Sequence, residues 1–200
     1  MSSALRTGTY VLVALVALFE LGVFWLMLHP DVSSDFRAYY IDKTTTCLNQ
    51  PVVGTYALGE VIDFTAKGAG SLSRPNRVCG WEGPVGDGLH AVGTSSRLRF
   101  VYPGPEAPAL LKLTLDAIRK DDQPTQRVEI LFNGELISIL TVTAGTRQDA
   151  RIAVPQDLAS AAGGRVELEL RFPDAQQMGD NDPDNRRRSI KLLSAALLPA

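Results

Sequence analysis

Side chains suited to recognising a polar ligand gather in one glycine-rich stretch, GWEGPVGDGLH, at residues 80–90. Within it the aromatic ring of Trp81 is close in sequence to the carboxylates of Glu82 and Asp87 and to the imidazole of His90. An aromatic face beside hydrogen-bonding groups suits a sugar, whose C–H face stacks while its hydroxyls form hydrogen bonds. A structural alternative stays open, in which Trp81 closes one end of the fold and the rest is a solvated loop.

The carboxylates of Glu82 and Asp87 also raise the hypothesis of glycoside hydrolysis, because glycosidases use a pair of acids. These two lie in a segment rich in glycine, without a recognisable acid–base context. His29 and His90 are the only histidines of the chain, and neither belongs to a nucleophile–base arrangement. The sequence therefore predicts a noncatalytic protein with no catalytic residue and no cofactor.

Near the C-terminus three carboxylates alternate along the chain, at Asp180, Asp182 and Asp184. Calcium loops show the same alternation, but an EF-hand also needs Gly at the sixth position and Glu at the twelfth. Those positions hold Asn185 and Lys191, which excludes an EF-hand. The favoured interpretation is a polar turn in which Asp184 pairs with Arg186 or another buried Arg and fixes the entry to the final strand. A structural Ca²⁺ site of another kind stays open.

The composition is that of a chain able to fold, and its nearly balanced charge gives no excess of positive charge to attract nucleic acid. The 200 residues contain 20 Lys and Arg against 22 Asp and Glu, for a formal net charge of −2. Hydrophobic residues make up 45% and charged residues 21%, which are ordinary globular values. A nucleic-acid-binding role is therefore not expected.

The first 30 residues differ from the rest, because residues 10–28 form an apolar run interrupted by a single charge, Glu20. A helix of that length approaches the hydrocarbon thickness of a bilayer. We therefore expect a cytoplasmic tail at 1–9, a transmembrane helix at 10–28, a stalk at 29–57 and an extracytoplasmic, periplasmic domain at 58–200. This predicts a single-pass protein of the inner membrane. A cleaved signal peptide is the alternative.

Glu20 lies near the middle of the apolar run, where an ionisable side chain normally faces protein or water rather than lipid. At helical spacing its face includes Ala17 and Phe24, and the small Ala17 would let another helix approach. The sequence predicts that this face contacts a membrane-embedded partner subunit. Two alternatives stay open: a protonated Glu20 that merely tolerates the bilayer, and self-association through paired Glu20 side chains.

Cys47 and Cys79 are the only cysteines, and both follow the apolar run. An oxidising compartment favours pairing of such residues. The sequence predicts a Cys47–Cys79 disulfide that ties the stalk to the domain, with two free buried thiols as the alternative.

Beyond the stalk the dominant pattern is alternation of apolar and polar residues, which is typical of half-buried strands. It marks about eight strands, among them segments at 58–64, 97–102, 111–115, 128–132, 136–140, 166–172 and 189–198. Asn133-Gly134 separates two of these runs and predicts a tight hairpin at the sandwich edge. There Asn133 would only supply a positive φ, so Asn133→Gly should cost little and Gly134→Val much more. The fold class is therefore all-β: a jelly-roll-like antiparallel β-sandwich preceded by one transmembrane helix.

Six short motifs follow one another along the chain: Gly80-Trp81, Arg97-Leu98-Arg99-Phe100, Gln126-Arg127-Val128 with Asn133-Gly134, Ile152-Ala153-Val154-Pro155, Phe172-Pro173-Asp174-Ala175 and Asp184-Asn185-Arg186. In this order the chain resembles an extracytoplasmic, carbohydrate-binding-module-like domain of unknown function. That family occurs with bacterial membrane glycosyltransferases and envelope-polysaccharide proteins. The resemblance covers roughly residues 57–198. Two positions depart from it, since Arg188-Ser189 replaces a frequent Leu-Gly and Val85 replaces an acidic residue.

The resemblance implies a sugar-related role at the membrane, with a glycosyltransferase as the partner. Together with the residues it favours an accessory subunit that binds or guides a glycan or docks on that partner. The alternative is a structural subunit of an envelope complex that binds no sugar, and a glycan-active enzyme is less favoured.

Overall fold

The computed structural model describes residues 3–29, 31–33, 36–41, 47–48, 54–103, 106–118, 124–177 and 187–199. It begins with helix α1 (Ser3–Leu28), which therefore starts earlier than the predicted span at 10–28. The part from Thr7 to Leu28 is long and apolar enough to cross a membrane, and the rest of the described chain buries none of it. A signal sequence and a membrane anchor both have these properties.

Eleven strands, two short helices and one π-helical turn follow α1 in the described part of the chain. Their bounds are the π-helical turn (Arg37–Ile41), β1 (Ile62–Asp63), α2 (Ala69–Leu72), β2 (Arg77–Cys79), β3 (Leu89–Val92), β4 (Ser95–Val101), β5 (Pro108–Ala117), β6 (Thr125–Phe132), β7 (Glu135–Thr143), β8 (Gln148–Ala153), α3 (Gln156–Ala161), β9 (Arg165–Arg171), β10 (Gln176–Gln177) and β11 (Arg187–Pro199).

The strands form two antiparallel sheets. Sheet A has the order β1-β11-β5-β8, with β3 and β10 also paired to β11, and sheet B has the order β2-β4-β9-β6-β7. From β4 to β11 the chain repeatedly crosses from one sheet to the other. The predicted β-sandwich and the N-terminal apolar helix are confirmed.

Alternation along the strands creates the core between the sheets. In β4, Leu98 and Phe100 are fully buried while Arg97 points to the other face, and β5, β6 and β9 repeat this pattern. The four phenylalanines of the sandwich are fully buried: Phe64, Phe100, Phe132 and Phe172. This core positions β3, β5 and β11, the strands that carry the candidate site.

The sandwich begins slightly earlier than the predicted boundary at residue 58, because Tyr56 already belongs to the core. The Tyr56 backbone N–H donates to the carbonyl of Val101 at 2.7 Å. Its hydroxyl accepts a hydrogen bond from the backbone N–H of Leu197 at 2.9 Å. Tyr56 therefore fixes the chain entry to both sheets.

The Cys47–Cys79 disulfide is present, which confirms the predicted pairing. The two Cα atoms lie 4.8 Å apart and the residues are separated by 32 positions. Cys79 ends β2, the edge strand of sheet B, so the bond attaches the segment before the sandwich to that edge.

The Asn133-Gly134 turn joins β6 to β7, and β7 is the opposite edge of sheet B. Both residues have positive φ, at 50° and 89°, as the predicted tight hairpin requires. Asn133 also does more than adopt this backbone: its Oδ1 accepts a hydrogen bond from the Glu167 N–H at 2.7 Å. The side chain thereby extends the pairing of β6 with β9.

We expect Gly134→Val to destabilise the domain by about 1–3 kcal/mol, because a β-branched residue is strained at positive φ. Open space surrounds Gly134, so the cost arises from the backbone alone. Asn133→Gly should cost about 1 kcal/mol, more than the sequence suggested, because it removes the hydrogen bond to Glu167. Thermal melts of both variants test this order, and a Gly134→Val protein as stable as the parent would contradict it.

Candidate functional site

The glycine-rich stretch at residues 80–90 is a β-hairpin that spans the two sheets. Trp81 bridges Ala91, and Val85 and Gly88 exchange two backbone hydrogen bonds of 3.0 Å around a Gly86-Asp87 turn. The sequence predicted a loop here and missed the strand pairing, because glycine residues are not typical of strands. The hairpin places Asp87 at its tip.

Glycine allows this hairpin to lie directly on β11. A Cβ atom at Gly88 would stand 3.1 Å from the carbonyl oxygen of Leu192, and the φ of Gly88 is +126°. The pairing of β3 with β11 then sets His90 opposite Lys191. Side chains more than 100 positions apart in sequence are thus brought together.

Four charged or titratable side chains meet at this point, and we name them the hairpin-tip cluster: Asp87, His90, Asp116 and Lys191. His90 Nε2 lies 3.0 Å from Asp87 Oδ1, and Lys191 Nζ lies 3.1 Å from Asp87 Oδ2. On the other side, Lys191 Nζ lies 3.9 Å from Asp116 Oδ2, and Asp116 also accepts the Gly145 N–H at 2.9 Å. The cluster presents donors and acceptors on the outer surface of sheet A.

The electrostatics of the cluster keep Asp87 ionised. Partial desolvation acts to raise the pKa of Asp87, but hydrogen bonds from His90 and Lys191 outweigh it and hold the pKa below its ordinary value. The Asp87 side chain remains 54% exposed. It is therefore a solvent-accessible carboxylate flanked by two nitrogen groups.

We expect Asp87→Asn to destabilise the protein at pH 7 by at most about 1 kcal/mol, since the ion pair is half-exposed. The pKa of Asp87 is lowered on folding, so its stabilisation is present above the unfolded aspartate pKa of about 4. It is lost as the pH falls through the lower folded pKa. Melting the parent and variant at pH 7 and pH 2.5 tests this, with Asp157→Asn as a control of equal charge change. A parent–variant difference that persists unchanged at pH 2.5 would contradict it.

Trp81 is half-buried and is directed to sheet B rather than to the hairpin-tip cluster. Its indole N–H donates to the carbonyl of Arg97 at 2.9 Å, and the ring packs against the core. Among the described residues of the sandwich it is the one aromatic side chain that is not buried; the buried ones are Tyr56, Phe64, Phe100, Tyr102, Phe132 and Phe172. The indole hydrogen bond is therefore made to sheet B, whereas Asp87 and His90 contact each other at the hairpin tip.

Glu82 forms an ion pair with Arg188, at 2.6 Å between Oε2 and a guanidinium nitrogen. Arg188 lies on β11, so the pair fastens the base of the hairpin to that strand. Arg188 therefore has a partner inside the hairpin. Glu82 is not part of the hairpin-tip cluster.

Sequence reasoning missed Asp116, Lys191 and Arg188 as neighbours of the hairpin. Asp116 and Lys191 occupy polar positions in alternating strands, where such residues are expected on any solvated face. Only the register of β11 between β3 and β5 shows that they meet.

The predicted polar turn and possible Ca²⁺ site, with Asp180, Asp182, Asp184 and Arg186, lies outside the described residues. In the part of the chain that is described, no group of three or more His, Cys, Asp or Glu side chains is placed to hold a metal ion.

A second set of charges covers sheet B, where cross-strand pairs join β4 to β9. Arg97 lies 3.5 Å from Glu167 and 3.7 Å from Glu169, and Arg99 lies 2.7 Å from Glu167. Arg171 pairs with Glu169 at 2.9 Å. Opposite charges on adjacent strands stabilise the sheet, so this set has a structural explanation and makes a poorer ligand site than the hairpin-tip cluster.

Comparison with known proteins finds no matching family model and no matching curated protein. Solved structures with a similar arrangement of strands include a family two carbohydrate esterase from Clostridium thermocellum in complex with cellohexaose. It is 12% identical with a TM-score of 0.37, and the match covers 60% of this chain and 31% of the esterase. The chain therefore corresponds to less than a third of that enzyme.

Two smaller proteins are also similar. The CBM36-1 domain of a multidomain xylanase from the hindgut metagenome of Trinervitermes trinervoides is 11% identical, with a TM-score of 0.33 and coverage of 54% of this chain and 76% of that domain. CsCBM6-3 from Clostridium stercorarium, in complex with cellobiose, is 8% identical, with a TM-score of 0.34 and coverage of 56% and 73%. The fold of this chain is defined by its own strand pairing. The apolar helix, as signal or anchor, and the disulfide both indicate an extracytoplasmic location.

Proposed function

We propose that this chain is a noncatalytic accessory subunit of a membrane polysaccharide-assembly complex. Helix α1 anchors it in the inner membrane as a single span, and the sandwich lies in the periplasm. The sandwich recognises a glycan through the hairpin-tip cluster, and α1 docks on a membrane-embedded partner, a glycosyltransferase.

The observation that carries this proposal is the exposed face of α1 around Glu20. The side chains beside it form a shallow apolar groove lined by Phe19, Val23, Phe24 and Met27. No part of the described sandwich buries this helix. A carboxyl group in the middle of a bilayer needs a polar partner, and a second membrane subunit with an Arg, Lys or amide side chain supplies one. Ala17, one turn earlier, leaves room for that helix.

Co-purification from native membranes tests the docking. Glu20→Leu should leave membrane insertion intact and abolish recovery of the partner, whereas Glu20→Gln should retain part of it through hydrogen bonding. Thr7→Leu, which removes a polar group near the N-terminal end of α1, serves as the matched control. If Glu20→Leu retains every membrane partner and the full activity of the complex, Glu20 has no assembly role.

Glycan recognition is supported by the chemistry of the hairpin-tip cluster. Asp87 and Asp116 offer carboxylate acceptors, and Lys191 and His90 add nitrogen groups within 3.0–3.9 Å of them. Such a set can hydrogen-bond the hydroxyls of a sugar. Because Trp81 packs against the core and donates its N–H to Arg97, we expect this mode of binding to rely on polar contacts more than on stacking.

A glycan array probed with the full-length protein in nanodiscs tests the recognition. Asp87→Asn and Lys191→Gln should each weaken binding at least tenfold without changing the fold seen by circular dichroism. Lys112→Gln removes the same charge from β5 of the same sheet and should bind normally. Trp81→Ala is a poorer probe, because it also disturbs the core.

The glycan array and the co-purification together distinguish this proposal from the alternative of a purely structural subunit. A protein that binds no glycan on the array but still co-purifies with its membrane partner is a purely structural subunit. That result would retain the docking half of the proposal and remove the glycan half.

A further inference from the structure

The segment between α1 and the sandwich contains a capped helical turn rather than a plain stalk. Ser33 begins it: its Oγ accepts the Phe36 N–H at 3.3 Å, and its carbonyl oxygen accepts the Arg37 N–H at 2.9 Å. The π-helical turn Arg37–Ile41 follows directly. This capping pattern satisfies the backbone N–H groups of Phe36 and Arg37.

The turn displays a cluster of aromatic side chains. The rings of Phe36 and Tyr40 lie 4.5 Å apart, and Tyr39 meets Tyr40 edge-on at 4.7 Å. Phe36 is 41% exposed, Tyr40 52% and Ile41 44%, whereas the phenylalanines of the sandwich are fully buried. Exposed apolar area of this kind is unfavourable in bulk water. Rings with a polar end are favoured at a membrane interface, where one end is apolar and the other wet.

The length of the connecting chain limits how far this aromatic cluster can lie from the end of α1. α1 ends at Leu28, and the eight residues from there to Phe36 reach at most about 30 Å. The cluster therefore lies within about 30 Å of the end of α1, close enough to reach the lipid head groups there. The same end of the helix carries Trp25 stacked on His29, with ring centroids 4.0 Å apart, as in the aromatic belts of membrane helices.

We infer that residues 36–41 form an interfacial membrane anchor, with Phe36, Tyr40 and Ile41 inserted between the lipid head groups of the leaflet that faces the sandwich. This rests on the proposed anchoring of α1 in the bilayer, and it goes further by assigning lipid as the partner of the aromatic cluster. Arg37 lies in the same turn and can contact lipid phosphates.

One consequence is that the disulfide limits the distance between the membrane-bound turn and the β2 edge of the sandwich. The six residues from Ile41 to Cys47 span at most about 20 Å, and Cys47 lies 4.8 Å from Cys79 between Cα atoms. Without the disulfide the next fixed point is Tyr56, and the free segment from Ile41 would reach about 50 Å. The disulfide therefore keeps the β2 edge of sheet B within roughly 25 Å of the turn.

Photolabelling from lipid tests the inference on the full-length chain. The protein is reconstituted in phosphatidylcholine nanodiscs that contain a phosphatidylcholine with a diazirine near its carbonyl groups, and adducts are mapped by mass spectrometry. We expect adducts in α1 and on residues 36–41, and at least tenfold fewer on Val61 and Val85, which are exposed apolar residues of the sandwich.

Two outcomes overturn the inference in different ways. Adducts in α1 but none at residues 36–41 leave the anchor intact and refute the interfacial turn. The absence of adducts throughout α1 refutes the proposed anchoring itself.

A paired variant adds a second measurement. Phe36→Ser combined with Tyr40→Ser should reduce labelling of residues 36–41 at least fivefold while labelling of α1 stays constant. Leu72→Ser removes an exposed apolar side chain from the sandwich and should change neither signal. Equal labelling of residues 36–41 in the parent and the double variant would refute a role of these rings in lipid contact.

Discussion

Gly80→Ala should destabilise the sandwich by about 3–5 kcal/mol, the largest effect we expect from a single methyl group in this chain. Gly80 has φ +75°, and a Cβ atom there would stand 2.2 Å from the Ser95 carbonyl oxygen and 2.7 Å from Ser96 Cα. Backbone atoms cannot move aside as a flexible side chain does. The Gly80 carbonyl also accepts hydrogen bonds from Ser96 Oγ at 2.6 Å and from the Val92 N–H at 2.8 Å, so a shift of Gly80 disturbs both β3 and β4.

The measurement is the melting temperature of the full-length protein in detergent, followed by circular dichroism. Gly83→Ala is the matched control in the same hairpin, because a Cβ atom at Gly83 meets nothing within 4 Å. The control should lie within about 0.5 kcal/mol of the parent. Equal melting temperatures for Gly80→Ala and Gly83→Ala would show that the close approach at Gly80 is not rigid.

Removing the disulfide should cost about 3–4 kcal/mol on the chain-entropy model. Cys47 and Cys79 close a loop with a sequence separation of 32, and an open loop gives the unfolded chain more conformations. For a domain of this size the loss corresponds to a fall of roughly 10 °C in melting temperature. Cys47→Ser combined with Cys79→Ser should show this fall without reductant, and the parent should show it after reduction.

Mass spectrometry of the protein from its native compartment supplies the control. Both cysteines should resist alkylation until a reductant is added. Two thiols that alkylate freely in the native protein would contradict the bond. A double variant that melts with the parent would show that the loop is already ordered without it.

Local sequence patterns predicted much of the architecture, because strand alternation and turn conformation depend on neighbouring residues. Alternation at 97–102 and 166–172 predicted β4 and β9, since side chains of a strand point to opposite faces and only one face of each is buried. Asn133-Gly134 predicted its hairpin because few residues adopt positive φ. Length and apolarity marked α1, and the position of the cysteines beyond it indicated their pairing.

Strands with a weak pattern were missed. β8 (Gln148–Ala153) buries only Ala150 and Ile152, and small or isolated apolar residues leave little periodicity. The hairpin at 80–90 was hidden by its glycines, which disfavour strands unless another backbone approaches closely. That close approach, of Gly88 to Leu192, is a tertiary fact.

In the candidate site, too, the sequence indicated some features and only the tertiary structure determined the others. Asp87 and His90 stood out because a carboxylate and an imidazole lie in one glycine-rich stretch with Trp81. The contacts of Lys191 with Asp87 and with Asp116 depend on the register that places β11 between β3 and β5. The pairing of β2 with β4 brings Trp81 to the Arg97 carbonyl. Strand register joins segments more than 100 residues apart through the packing of the whole core, so the sequence determined the chemical groups and only the tertiary structure decided which of them meet.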